Sequence, residues 1–442
     1  MITKIAWKNI WFKPLNTALS ILLLTASVAI ITLLILLEQQ FEKKFNDNID
    51  GVDMVLGAQG SPLQLILSSV YQVDAPTGNI DYTEAKKWMH HPFVKSAIPL
   101  AFGDNYRGFR IVGTTPEYLT KYGATITTGK VFGKDFEVVV GSEIAKKMGM
   151  KVGDKFFGSH GDAEEGEVHD HHAYVVAGVA SPTGRVVDNL ILCNIQSVWA
   201  MHDHEHEEGA EEEHDHAHEA VAETHDHEDH DHEGHDHDHD AHAEEAHDHD
   251  HEAVAPISEE GKEITAVLLK FRNKNAIFMW PRIIAQNTKM QAALPGIEIN
   301  RLFSLFGIGL EALKYLAYGI MLISGISIFI ALFNTLKERK YEFALLRVNG
   351  ASRLQLLSLV LIESLLLCVT GFVFGTIVGR VALVFISGSS EDEFKISFNP
   401  FEFVWEKEGY LFLLTIFVGI LAAVIPAVKA YSLNISKTLA NA

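Results

Sequence analysis

The chain has 442 residues, 48% of them hydrophobic, and a formal net charge of −21. That charge is local: residues 202–252 hold 23 Asp/Glu and 17 His with no Lys or Arg, which leaves 34 acidic against 36 basic side chains elsewhere. Composition thus excludes a basic nucleic-acid binder and an evenly acidic soluble protein, and points to an apolar-rich membrane chain carrying one charged insert.

Residues 15–37, LNTALSILLLTASVAIITLLILL, contain no charge and exceed the roughly 20 residues a helix needs to cross hydrocarbon. A cleaved signal peptide is the alternative, but the apolar core is too long and no A-x-A-like site follows. Beyond Leu37, Phe41 and Phe45 continue one apolar stripe at helical spacing, so residues 15–49 read as a transmembrane helix with an outward stalk.

Residues 50–300 read as a mixed α/β domain. FEVVVGSEIAKKMGMKVGDKF gives a strand, a helix over 143–148 and a Gly-marked turn. HHAYVVAGVASP, DNLILCNI and ITAVLLKF are further strands, and AIFMWPRIIAQNTKM is a helix entered near Pro281. Cys193 falls in one of the strands and Cys368 in a later apolar helix, so no disulfide between them is expected. His90 and His91, before Pro92, are expected to cap a helix end.

The His/Asp-rich run, residues 201–255, lies between two of these strands as a loop insertion predicted to be disordered without a ligand. Its H-D-H and H-x-H units, such as His235, His237 and His239, suit zinc or another divalent transition metal, through weak and multiple coordination rather than one defined site. A second candidate metal cluster is SHGDAEEGEVHDHH, with His160, His169, His171 and His172. In an extended chain His169 and His171 face one way; the competing reading is an exposed polar turn.

Three more apolar runs come next: residues 315–336 (inside a stalk and span 301–336), 354–379 (inside a span 354–386) and 410–428. Between the last two lies a loop, 387–409. Lys and Arg gather before the first run, in the connector 337–353 and in the tail 429–442, whereas loop 387–409 is acid-rich. The bias predicts cytoplasmic termini and an extracytoplasmic 38–300. Glu363 is a membrane-embedded acid, read as an interhelical or stalk-side hydrogen-bonding group rather than an ion-translocating one. No His or Asp lies within the four runs, which argues against a metal channel. Arg380 is expected to reach the membrane interface.

In the connector, Ser352 and Gln355 make an S-x-x-Q capping box that starts the third span, and Asn349-Gly350 is a left-handed stop for a short preceding helix. No phosphate loop is present: GATITTGKV (residues 123–131) has the wrong spacing and Val after Lys. No nucleophile–base pair or H-E-x-x-H motif suggests an enzyme.

KERKYEFALLRVNGASRLQLLSLVLIESLLLCVTGFVFGTIVG (residues 337–379) resembles the signature of FtsX/MacB-type ABC transporter permeases, with Arg339, Glu342, Leu346, Arg347, Gly350, Ala351, Ser352 and Glu363 at matching positions. IAWKNIWFKPLNTALS resembles the family's amphipathic N-terminal helix, here over 1–14. AAVIPAVKAYSLNISKTLA resembles its ending, except that Asn434 stands where the family usually has proline. VVVGSEIAKKMGMKVGDKF resembles the family's periplasmic core.

The resemblance implies an α-helical membrane protein with four transmembrane helices and a large mixed α/β extracytoplasmic domain between the first and second. It implies a permease, homodimeric or paired with a paralogue, that carries ATP-driven motion from a separate ATPase to the periplasmic side of a bacterial inner membrane. The client would be a lipoprotein, a peptide or a metal-related protein. The alternative is a signalling platform that activates a cell-wall hydrolase without transport. Arg339, Glu342, Leu346, Arg347, Gly350 and Ser352 would then carry ATPase coupling. DMVLGAQGSPLQLILSSVYQVD and GFRIVGTTPEYL resemble a zinc-linked subgroup of these permeases.

Overall fold

The computed structural model describes residues 14–159, 172–201, 259–393 and 398–432. The chain divides into two compact units, one of residues 1–50 and 296–442 and the other of residues 51–295.

The chain enters the first unit through helix α1 (Pro14–Ile49). The second unit then runs β1 (Met54–Ala58), α2 (Pro62–Ile66, prolonged by a π-turn to Tyr71), β2 (Ile80–Asp81), α3 (Tyr82–Met89), β3 (Val94–Tyr106), β4 (Phe109–Gly113), α4 (Glu117–Lys121), β5 (Ile126–Gly129) and β6 (Glu137–Val140). It continues through α5 (Ser142–Met148), β7 (Lys155–Phe156), β8 (Tyr174–Ala180), β9 (Ile191–Cys193), a helix α6 over 195–201, β10 (Glu263–Ile264), β11 (Ala266–Phe271), α7 (Ala276–Asn287) and β12 (Met290–Ala293). The chain then returns to the first unit with α8 (Pro295–Glu338), α9 (Lys340–Val348), α10 (Arg353–Glu393) and α11 (Trp405–Tyr431).

In the second unit a ten-stranded mixed sheet has the order β12-β1-β11-β3-β4-β9-β6-β8-β5, with β7 on β8. Two neighbouring pairs, β4–β9 and β6–β8, are parallel. The β-branched runs that predicted strands form them because each contributes apolar residues to one core, including Leu56, Ile111, Val138, Val140, Val176, Ile191 and Leu269. The sequence ITAVLLKF is not one strand. Thr265 separates β10 from β11, and its hydroxyl accepts the amide of Phe102 instead.

Helix α7 starts five residues before Pro281, which lies inside it. Trp280 explains the early start: it is buried edge-on against Phe271, Trp88 and His91, and this packing outweighs the proline's lost hydrogen bond. His90 terminates α3, with ring Nδ1 2.9 Å from the Lys86 carbonyl oxygen.

The flanks of the His/Asp insert are tied together. The Trp199 indole, on α6, donates to the carbonyl of Glu263 at 2.7 Å, and β10 pairs with β2. Lys86 on α3 pairs with Glu259. The described flanks on either side of residues 202–258 are thus held close together, the setting in which a long addition disturbs a sheet least.

In the first unit α1, α8, α10 and α11 are each long and apolar enough to cross a membrane. At 1.5 Å per residue the 44 residues of α8 extend about 66 Å, roughly twice the hydrocarbon thickness. The four spans and the mixed α/β sheet between the first and second make the fold class read from the sequence. The apolar run of α10 carries Gly371, Gly375 and Gly379 at four-residue spacing, and all three face α1. A Cβ on Gly375 would lie 2.6 Å from Val28 Cβ, and one on Gly379 2.7 Å from the Ala29 carbonyl oxygen. Small residues let the two backbones approach where lipid offers no hydrophobic drive. Across α10, Ser364 donates to the Gly419 carbonyl of α11 at 2.7 Å.

Candidate functional site

The candidate site is the short helix α9 with the turns that close it. Gly350 takes φ +93, a left-handed conformation that disfavours any other residue. Its amide donates to the Arg347 carbonyl at 3.2 Å and the Ala351 amide to the Leu346 carbonyl at 3.0 Å, the paired bonds of a Schellman stop. The Arg347 side chain folds over the same turn and donates from Nη1 to the Ala351 carbonyl at 2.7 Å.

The next helix starts at once. The Ser352 hydroxyl accepts the Gln355 amide at 3.2 Å, and Gln355 Oε1 accepts the Ser352 amide at 2.7 Å, a complete reciprocal capping box. The turn between α9 and α10 is therefore bonded to itself on both sides.

At the other end, Arg339 sits between α8 and α9 and donates from Nε to Glu342 Oε2 at 2.7 Å, with a second bond from its terminal nitrogen. Phe343 and Ala344 are buried, and Leu346 packs on the same cluster as Leu336, Leu356, Ala427 and Ala430. Tyr341, Leu345 and Val348 are exposed on the opposite side. The helix is thus anchored to α8, α10 and α11 by one face and presents the other. Arg339 and Glu342 meet at one end of it, Arg347, Gly350 and Ser352 at the other.

Glu363 is buried inside the bundle on α10, next to Ser364. The Arg380 side chain is only 15% exposed. It turns inward and pairs with Glu408 of α11, with Nη2 2.9 and 3.1 Å from the two carboxylate oxygens, while its guanidinium lies 4.4 Å from the Phe403 ring centre. The reason is that Glu408, counted with the acids of a solvated loop, is buried at the first turn of α11.

Around this pair the four helices are cross-tied. Gln40 of α1 exchanges two 2.7 Å hydrogen bonds with the backbone of Asn399. Phe398 wedges between Leu36 and Leu383, and Glu38 holds both Lys314 and Lys407. Sequence reasoning missed these contacts: Gln40 and Asn399, or Glu38 and Lys314, are too far apart in the chain for a local pattern to link them.

Among the metal candidates only His172 lies within the described residues, where its ring stands 4.7 Å from that of Phe136. His160, His169, His171, His235, His237 and His239 lie outside them. Among the described residues no group of three His, Cys, Asp or Glu side chains is placed to hold a metal ion. In GATITTGKV, Lys130 pairs with Glu137 at 2.7 Å, and Gly129 ends strand β5. Burial opposes ionisation of Glu137, but the Lys130 ammonium and the amides of Gly133 and Lys134 together hold its carboxyl below the usual range.

Two family models match the chain. The FtsX-like permease C-terminal model matches residues 315–435, and the MacB-like periplasmic core domain model matches residues 17–229. The first therefore includes α9, most of α8, and all of α10 and α11; the second includes most of α1 and the greater part of the sheet. Among solved structures, the crystal structure of the periplasmic region of MacB from Actinobacillus actinomycetemcomitans aligns with 59% of this chain and 97% of its own, at 9% identity and a TM-score of 0.33. Comparison with curated proteins returns no match.

Proposed function

The chain belongs to the FtsX/MacB-type ABC transporter permeases, and on that premise we propose that it couples a separate ATPase to movement of its α/β unit on the outer side of the membrane. It is a multi-pass protein of the bacterial inner membrane. Permeases of this family generally act as dimers with an ABC ATPase and are not themselves enzymes. For this chain we take the ATPase to dock on α9, with both termini and α9 in the cytoplasm and residues 51–295 in the periplasm. The charge bias of the connectors supports that orientation.

The observation that carries the reading is the closure of α9 at both ends. A Schellman stop and a capping box leave no slack between α9 and α10, and α8 enters α9 through a single residue, Arg339. A push on the exposed face of α9 is then delivered to two spans rather than absorbed in a loop. The spans themselves supply no polar pathway rich in ligands, which favours transmission of force over a metal channel.

The client is a lipoprotein, a peptide or a metal-related protein at the outer face, with the His/Asp insert gathering zinc or a similar cation there, a reading supported by the resemblance to a zinc-linked subgroup. Under the signalling alternative the outer unit would retain a cell-wall hydrolase instead. The test is the complex with its ATPase, purified with wild-type chain and with Arg347→Ala. Coupling through this turn predicts that the variant still assembles but loses most of the stimulation of ATP hydrolysis; full stimulation would remove the assignment.

A further inference from the structure

Two apolar stripes in the membrane unit run down to lysines. On α8, Ile326, Ile330, Phe333 and Lys337 share one helical face; on α11, Leu421, Ile425 and Lys429 share another. The four aliphatic side chains are all exposed. The stripes converge, with the Lys429 Nζ 4.2 Å from the centre of the Phe333 ring. At their foot is an open recess of about 260 Å³ lined by Phe333, Leu336, Lys337, Lys340 and Lys429. Its lining holds three ammonium groups and no acid, and among the described residues none of the three makes an ion pair.

Three like charges gathered over an apolar floor repel one another and attract a ligand that is anionic at one end and apolar along its length. The recess sits at the ends of two spans, where the hydrocarbon gives way to headgroups. Basic pockets between helices at that level suit anionic headgroups. We propose that Lys337, Lys340 and Lys429 hold the phosphate of an anionic phospholipid whose acyl chains lie along the two stripes. The proposal needs the four helices to span a membrane, and it shares one residue, Lys340, with the helix α9 on which the ATPase is taken to dock.

The test is native mass spectrometry of the full chain in detergent with added phosphatidylglycerol or phosphatidylcholine of the same acyl chains. The wild type is expected to retain phosphatidylglycerol in preference, and K337Q/K340Q/K429Q to lose that preference by about fivefold per lysine. Equal preference in wild type and variant overturns the proposal. So does displacement of the lipid by millimolar inorganic phosphate, which would mark a site for a free anion. Unchanged lipid retention with loss of a co-purifying ATPase would assign the lysines to the protein partner and equally overturn it. If the triple variant does not fold, K429Q alone, at an exposed position, is expected to show about a fivefold loss.

Discussion

Arg380 on α10 holds Glu408 on α11 through two bonds of 2.9 and 3.1 Å from one nitrogen, and the carboxylate it holds is only 5% exposed. A buried ion pair adds little over apolar packing, but breaking it strands a charge. Arg380→Met is therefore expected to destabilise the bundle by about 3–5 kcal/mol. R380M/E408L is expected to recover most of that loss. Thermal unfolding in detergent of the two single variants and the double measures it; equal, additive losses would contradict the pairing.

The glycine stripe makes an opposed pair of predictions. Gly375→Leu forces a side chain into Val28 and the backbone of Thr25, so α1 and α10 must part. The expected loss is about 1–3 kcal/mol or more. Gly388→Ala, with nothing within 4 Å of the new Cβ, is expected to be neutral or to stabilise α10 by up to about 1 kcal/mol. The same unfolding measurement checks both.

In the α/β unit, Tyr71, Tyr118 and Tyr122 are buried close together, with the Tyr118 and Tyr122 rings 4.8 Å apart. Burial first, and for Tyr71 and Tyr118 the neighbouring Tyr122, pushes the phenols above their ordinary values. Such a group ionises more readily in the unfolded chain. Its contribution to stability is whole below about pH 10 and declines as pH rises towards the folded-state values. Alkaline titration followed by near-ultraviolet absorbance is expected to show these phenolates only as the unit unfolds. Ionisation of all 11 tyrosines in a folded chain would contradict it.

Deleting residues 202–252 changes the formal charge from −21 to +2, yet leaves in place the Trp199–Glu263 bond that ties the described flanks together. The shortened chain is expected to fold and assemble, and to lose most of its zinc uptake in equilibrium dialysis. Zinc uptake equal to that of the full chain would place metal binding elsewhere.

What could be read from the sequence was local. The S-x-x-Q box and Asn349-Gly350 are signals within a few residues, and the structure closes each with the bonds expected of it. The spans could be read from uninterrupted apolar runs. Contacts between distant segments could not be read. The spaced glycines of α10 were visible, but not that they face Val28 and Ala29; Gln40 and Asn399 lie 359 residues apart. Glu408 looked like one acid among several until the fold buried it. Pro281 pointed to a helix start, but the buried Trp280 side chain moved that start upstream.

Motion of the α/β unit driven through α9 can be measured directly. Both native cysteines are buried, and burial raises the Cys193 thiol well above its ordinary value, so an added cysteine at exposed Lys134 can be spin-labelled selectively. Pulsed electron paramagnetic resonance in the ATPase complex then reads the distance between the labels of the two copies. Coupling through α9 predicts a distance that changes when ATP is bound and no longer changes when Arg347→Ala is added. One unvarying distance, with and without ATP, in a complex that hydrolyses ATP would contradict it.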